Sequence, residues 1–316
     1  MAFLKAFGSY LPERKVSNGE LGQRLGCAPE WIERACGIAE RRFAVEGEGV
    51  AEMAVAAAED CLRRGGMQAA DLGMVIVSSG SAEQRFPGPA SSVAARLGCG
   101  QIPAWDLPLA SAGGLFGMAL ANDLAVRYGT VLVVAAEKMS PISLREPLDR
   151  NVAILFGDGA GACLVSASDG FGAITAEAIH SDGSFAADLR LDWGEALEMN
   201  GRSVILQAGR KLPAGIAEVL SRAGIAAGDV EVFLVHQANK NLIDRGAQSL
   251  GVPAERFYCN IERFGNTSSA SMLIAAAEYF EGRPMTSKPV VFAAFGAGFH
   301  WGAVVVEDRV LRNIRL

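Results

Sequence analysis

Two stretches of this 316-residue chain carry the same succession of signals, and that duplication narrows the folds open to it. Ala58–Ser78 reads AEDCLRRGGMQAADLGMVIVS, and Ala217–His236 reads AEVLSRAGIAAGDVEVFLVH. Each holds a helical pattern, a glycine, a short polar loop with an aspartate (Asp71, Asp229), and then an apolar, β-branched run suited to a buried strand. Later in each half a glycine turn feeds another strand: FGDGAGACLVS (Phe156–Ser166) and FGAGFHWGAVVV (Phe295–Val306). The shared order reads as an internal duplication. Strands are predicted at 2–9, 73–79, 103–107, 130–136, 160–166, 230–236, 289–295 and 301–307, and helices at 50–64, 88–97, 112–127, 206–223, 239–250 and 268–281. This alternation predicts an α/β fold with sheets buried between helical layers. The halves, 1–169 and 170–316, meet near SASDGF (166–171), a short polar turn, so they are expected to pack tightly on each other.

A chain this long exceeds the usual single-domain size. Half of its residues are hydrophobic and 20% are charged, which suits a large core and excludes a disordered or fibrous chain. The net charge of −6, with no Lys/Arg block, argues against nucleic acid as a partner. No apolar run approaches the roughly 18 residues of a membrane span. The opening MAFLKAFGSYLPERKV has a lysine inside its apolar stretch and reads as a strand and turn rather than a signal peptide. Cys27, Cys36, Cys61, Cys99, Cys163 and Cys259 are scattered and form no C-x-x-C pair, so a reduced, cytoplasmic protein is expected. His180, His236 and His300 share no ligand spacing, so no metal is expected.

Four segments hold candidate chemistry. In AWDLPLASAGGLFGMALA (Ala104–Ala121), Ser111 stands where a strand turns into a helix. It reads as an N-cap, or as a nucleophile where free N–H groups and the helix dipole favour negative charge. In VHQAN (Val235–Asn239) a strand delivers His236 at its C-terminal end, where α/β proteins place their chemistry; a purely structural histidine is the alternative. In FGNTSSAS (Phe264–Ser271), Asn266 is either a turn-capping residue or a fixed amide donor to a substrate oxygen. FGAGFHWG (Phe295–Gly302) is either tight strand packing or a source of backbone N–H groups for an oxyanion; His300 within it is expected to pack beside Trp301, with the pocket wall as the alternative.

Together, in this order and spacing, these segments resemble β-ketoacyl-acyl-carrier-protein synthase III of the thiolase-like superfamily. EWIERACGIAERR (Glu30–Arg42), RFPGPA (Arg85–Ala90), DRNVAILFGDGAGA (Asp149–Ala162), SDGS (Ser181–Ser184) and MNGR (Met199–Arg202) extend the resemblance over nearly the whole chain. It implies a five-layered αβαβα sandwich of two similar halves, usually a homodimer, with Phe86 reaching into the neighbouring subunit's pocket. It implies no resident cofactor: acyl-CoA or acyl-carrier-protein and a malonyl thioester are substrates, with a carrier protein as partner. His236 and Asn266 match two members of the family triad, which bind the malonyl carbonyl and stabilise the enolate formed as carbon dioxide leaves. The backbone N–H groups of residues 111 and 297 match the oxyanion hole, with Ala297 at the second position, and Phe295 matches a residue crowding the malonyl carboxylate. Trp31 and Arg150 match residues that sandwich the adenine of coenzyme A.

Four positions depart from the family pattern. The family nucleophile is a cysteine where this chain has Ser111. A serine hydroxyl is not ionised by a helix N-terminus as a thiol is, and would need His236 as general base. An engineered replacement of cysteine, a natural serine acyltransferase that loads a starter unit in a secondary-metabolite pathway, and a non-catalytic partner subunit of a heteromeric synthase all remain open. Ala35 and Asn241 stand where the family has arginines near the coenzyme phosphates, with Arg34 and Lys240 one residue earlier as compensation or as plain surface charge. Gly114 replaces a large aromatic, so either a roomier acyl pocket or filling by Leu115 or Phe116 is expected. A biosynthetic thiolase would need a second cysteine in the C-terminal glycine turn, and a serine hydrolase would need G-x-S-x-G; neither is present.

Overall fold

The computed structural model describes residues 1–308. Nine strands among them form one mixed sheet: β1 Phe3–Tyr10, β2 Met74–Ser78, β3 Ala104–Leu107, β4 Thr130–Glu137, β5 Gly159–Ser166, β6 Gly172–Ser181, β7 Val232–Val235, β8 Val290–Gly296 and β9 His300–Asp308. The longer helices are α1 Asn18–Leu25, α2 Pro29–Cys36, α3 Val50–Gly65, α4 Pro89–Leu97, α5 Gly113–Tyr128, α6 Gly201–Ala223, α7 Lys240–Leu250 and α8 Ser271–Tyr279.

The strands run β7-β8-β9-β6-β1-β5-β4-β2-β3 across the sheet. β1 and β6 pair only through Phe3–Ala173 and Leu4–Gly172, so the sheet is two smaller sheets joined at one corner. The first is ordered β3-β2-β4-β5-β1. The second is ordered β7-β8-β9-β6, and a lone parallel bridge from Phe233 to Phe257 lies beside β7 where the first sheet has β3. The strand senses also match. β2 runs parallel to β4 and β7 parallel to β8, and the next pair in each sheet is antiparallel. The repeated sequence units coincide with this repetition. α3 ends at Gly66 (φ +61°) and α6 at Gly224 (φ +69°), both left-handed; each is followed by a 3-10 turn ending at Asp71 or Asp229, and then by β2 or β7.

Alternation along the strands builds the layers, because successive side chains point to opposite faces. On β4, Val131, Val133 and Ala135 join a central core with α5 and α8, while Leu132, Val134 and Ala136 face outward against α3. On β8, Val290, Phe292 and Ala294 enter the same central core, and Val291, Ala293 and Phe295 pack outward with α6. The result is helix, sheet, helix, sheet, helix, with the apolar α5 and α8 enclosed between the sheets.

Every predicted strand and helix lies within a few residues of an observed element, with differences that have local causes. α6 begins at Gly201 rather than 206 because Asn200 caps it, accepting the Ser203 N–H at 3.3 Å. The predicted helix at 268–281 opens instead with a 3-10 turn, Ser268–Ala270. α1, α2 and β6 are additional elements; β6 alternates poorly, carrying half-exposed Glu177 and an exposed Ile179. All six cysteines are free thiols. No helix among the described residues is long and apolar enough to cross a membrane.

Candidate active site

Ser111 lies four residues beyond β3, in the turn that opens α5. Gly113 N donates to Ala110 O at 2.7 Å, which makes the turn tight. The capping role considered for Ser111 is not the one observed. The N-cap is Ala112, whose backbone is already helical (φ −85°, ψ −7°), so the turn closes one residue later and no side chain caps it. The Ser111 hydroxyl makes no hydrogen bond to any described residue, and the backbone N–H groups of Ser111 and Ala297 have no acceptor among them.

Glycines let three segments crowd around this turn. A Cβ on Gly296 would lie 3.1 Å from Ser111 Cβ, and one on Gly114 would lie 2.7 Å from the Ser269 carbonyl oxygen. The roomier acyl pocket expected at Gly114 is therefore absent. The backbone of Ser269 and the Leu273 side chain occupy that space, rather than Leu115 or Phe116.

His236 follows β7 directly, its N–H bonded to Ala293 O at 2.9 Å. The imidazole is buried, and burial pushes its pKa down to about 4, a Ser268 backbone contact opposing the shift. Its Nδ1 stands 2.7 Å from Ser271 Oγ, which accepts the Gln237 N–H at 3.0 Å. The contact fixes the orientation of the ring, and Ser271 Oγ can donate to Nδ1 while it accepts the Gln237 N–H, an arrangement that leaves the Nε2 position to carry the proton of a neutral ring.

Asn266 is clamped from below. Its N–H donates to Leu155 O at 2.9 Å and its carbonyl accepts Gly157 N–H at 3.1 Å. The FGDG motif is thus the platform for the FGNTSSAS motif. Asn266 Oδ1 accepts the Ser268 N–H at 2.9 Å. This is the turn expected of an Asn-Thr-Ser sequence, and it also leaves the carboxamide NH2 without a partner among the described residues, free to donate.

Ser111, His236 and Asn266 line one cavity of about 460 Å³, together with Phe295 and the face of α6 that carries Arg202, Ile205, Ala208 and Leu212. Ser111 also lines a second cavity of about 330 Å³, with Ala297, His300, Met139 and Leu197. Phe156 and Leu189 border both, so Ser111 stands at the neck between two chambers.

The remaining candidates lie farther out. Trp31 on α2 and exposed Arg150 are not in the wall of the larger chamber, but Ala35, Asp149 and Asn151 on the same segments are. Asn241 Nδ2 donates to the Ala35 carbonyl at 3.4 Å, so the two positions that lack arginines touch each other. Arg34 and Lys240 border a separate shallow surface hollow, and Lys240 pairs with Asp244 at 3.1 Å; neither borders the larger chamber as compensation would require. Phe86 is 86% exposed and lines neither chamber of its own chain. His300 does not pack beside Trp301, because neighbours on a strand face opposite ways. Its Nδ1 lies 2.7 Å from Ser181 Oγ and its ring meets Phe116 edge-on, while Trp301 stacks on His180. Among the described residues no cluster of His, Cys, Asp and Glu is placed to hold a metal.

Sequence reasoning missed Ser271, Ser268 and Glu137. The serines were visible in TSSAS only as small residues, and Glu137 only as a strand end.

Comparison with known proteins agrees with this arrangement. Residues 105–183 match the family of 3-oxoacyl-[acyl-carrier-protein (ACP)] synthase III, and residues 220–308 match its C-terminal counterpart. The chain is 38% identical over 320 residues to the β-ketoacyl-[acyl-carrier-protein] synthase III of Roseobacter denitrificans, covering 97% of this chain and 98% of the relative. It is 34% identical over 310 residues to that of Staphylococcus haemolyticus, covering 96% and 98%. The crystal structure of 3-oxoacyl-[acyl-carrier-protein] synthase III from Aquifex aeolicus superposes with a TM-score of 0.92 at 33% identity, over 97% of this chain and all of that one. The priming β-ketosynthase of the R1128 polyketide pathway gives 0.88 at 32%, over 98% and 97%. The fold is that of the thiolase-like condensing enzymes. The chain belongs to the 3-oxoacyl-[acyl-carrier-protein] synthase III family.

Proposed function

We propose that this chain catalyses acyl transfer from a thioester to residue 111, followed by decarboxylative condensation with a malonyl thioester. The observation that carries the reading is the shared chamber: the Ser111 hydroxyl, the His236 imidazole and the Asn266 carboxamide converge on one space, and Ser111 alone of the three opens to the second. The larger chamber suits the pantetheine arm of the donor, and the smaller, mainly apolar one suits the acyl chain.

In the first step the nucleophile of residue 111 attacks the thioester carbonyl. The carbon–sulfur bond breaks, and the thiol leaves with the nucleophile's proton. The two free N–H groups, at Ser111 and Ala297, are suited to hold the oxyanion. In the second step the malonyl carboxylate leaves as carbon dioxide. The enolate oxygen takes hydrogen bonds from Nε2–H of His236 and the NH2 of Asn266, and the enolate carbon attacks the acyl carbonyl, releasing residue 111. This step requires a neutral His236 with its proton on Nε2, and in that form the ring is a donor and not the base that a serine would need. That favours the reading in which an efficient enzyme carries a thiol at this turn, with Ser111 as its slow replacement, over the serine-acyltransferase reading. A non-catalytic subunit has no use for two donors aimed into an open chamber.

The donor is proposed to be an acyl-CoA or an acyl carrier protein. The Ala35–Asn241 contact is neutral where the family pattern has two arginines, and Arg202 is the one Lys or Arg among the described residues of the chamber wall, which favours the carrier protein. The exposed Phe86 and the open edge strand β3, with half-exposed Trp105, support a homodimer. The test is intact-mass analysis after incubation with acyl thioesters. A single acyl adduct is expected, absent in Ser111→Ala and formed much faster in Ser111→Cys. No adduct on either the wild type or Ser111→Cys would end the enzymatic reading.

A further inference from the structure

One fully buried carboxyl group lines neither chamber. Glu137 ends β4 and is 0% exposed, and no cation pairs with it. Instead it accepts hydrogen bonds from two separate loops. Gly80 N (3.0 and 3.2 Å), Ser81 Oγ and, at 3.4 Å, Ser79 Oγ come from the loop after β2. Ser268 Oγ (3.1 Å), Ser269 N (3.3 Å) and Ser269 Oγ (2.6 Å) come from the turn after Asn266.

That turn is held in an unusual shape. Ser268 is the one non-glycine residue with positive φ (+48°) among the described residues, a conformation that costs a serine energy and persists only when its surroundings fix it. Both ends of the residue face the site: its N–H holds Asn266 Oδ1, and its backbone contacts His236. The carboxylate that grips Ser268 and Ser269 therefore determines which way the Asn266 NH2 points. The same grip ties this turn to Gly80, which lines the second chamber next to Ser111.

We propose that Glu137 is a positioning residue for the condensation half-reaction, locking the 266–271 turn so that Asn266 and His236 present their N–H groups together. This rests on the function proposed above. It assigns the residue chiefly to the decarboxylation step, because Ser268 bonds Asn266 directly, whereas the Ser111 turn meets the loops held by Glu137 only through packing of Gly80 on Ala110 and of Ser269 on Gly113 and Gly114. Burial of an unpaired carboxylate is costly. A residue needed only for packing would be better replaced by an apolar or amide side chain.

The experiment separates the two half-reactions in Glu137→Gln and in the milder Ser268→Ala, which removes one donor and leaves the carboxylate otherwise satisfied. In Glu137→Gln the new NH2 faces N–H and O–H donors, and malonyl decarboxylation should fall by about a hundredfold, the cost of a group misplaced by about 1 Å. Acyl adduct formation at residue 111 should stay within about threefold of wild type. Ser268→Ala should show the same split, at smaller size. Equal loss of both half-reactions with a lowered Tm, or no loss in either, overturns the proposal. If Glu137→Gln does not fold, Ser268→Ala decides. If the wild type itself neither acylates nor decarboxylates, the proposed function fails. The positioning role is then read from 15N NMR of the His236 ring and the Asn266 side-chain amide in Ser268→Ala, where unchanged signals overturn it.

Discussion

Ser271 Oγ lies 2.7 Å from Nδ1 of His236 and at the same time receives the Gln237 N–H. One hydroxyl thereby fixes the orientation of the ring and satisfies a buried backbone N–H. Removing it in Ser271→Ala leaves the Gln237 N–H without its acceptor, a loss of about 1–3 kcal/mol. Decarboxylation is expected to drop by roughly ten- to a hundredfold, while acylation of residue 111 is spared. Separate assays of the two half-reactions check this, and parallel losses would refute it.

The depressed pKa of His236 links stability to pH. The folded state holds the ring neutral down to about pH 4, whereas the unfolded chain protonates it near 6.5. Between these values the unfolded state binds more protons, so stability is full above about pH 6.5 and declines as the pH falls toward 4. The shift is worth on the order of 3 kcal/mol across that window. Denaturant melts at pH 7.5 and 5 should show a loss that His236→Asn lessens.

Gly114 packs against a backbone carbonyl rather than bordering open space. Gly114→Ala forces the Ser269 carbonyl away from α5 and is expected to cost about 1–3 kcal/mol by overpacking. It should also slow condensation, because the displaced turn carries Asn266. A variant with wild-type stability and merely narrower acyl preference would contradict the contact described here.

Arg41 is wholly buried, its guanidinium bonded to Asn18 Oδ1 at 2.7 Å and the Ile154 carbonyl at 2.9 Å. It also supports the platform under Asn266, since Cβ positions on Gly157 and Gly265 would lie 3.2 and 3.1 Å from its own Cβ. Arg41→Ala opens a large void and strands these acceptors, for an expected loss of about 3–5 kcal/mol. Chemical denaturation measures it.

Trp105 on β3 is half exposed at an unpaired sheet edge. If the proposed dimer forms across this edge, Trp105→Glu places like charges across its two-fold axis and is expected to give a monomer at micromolar concentration. Sedimentation velocity of both proteins is the check.

Most of the layered fold was legible because buried strands and glycine-ended helices leave strong periodic signals, as in 73–79 and 230–236. The convergence of Ser111, His236 and Asn266 was legible only through a resemblance spanning the chain, since each alone had an ordinary structural reading. Glu137 and Ser271 were not legible. Their importance comes from partners more than thirty residues away, which no local pattern records. Gly114 was misjudged for the same reason: a missing side chain looks like room until the residue opposite is known.

The lone bridge between Phe233 and Phe257 gives the two ends of the sheet different fates. At the far end, Tyr258 N–H caps the Phe233 carbonyl at 3.1 Å and a connecting segment blankets the rim. Among the described residues no strand or bridge covers the β3 rim. A subunit with a single sticky border can satisfy it by meeting one identical border, and then has nothing left to recruit a third molecule. Under the proposed dimer, self-association through this rim would stop at two copies, because the other half of the molecule offers no second open border of this kind.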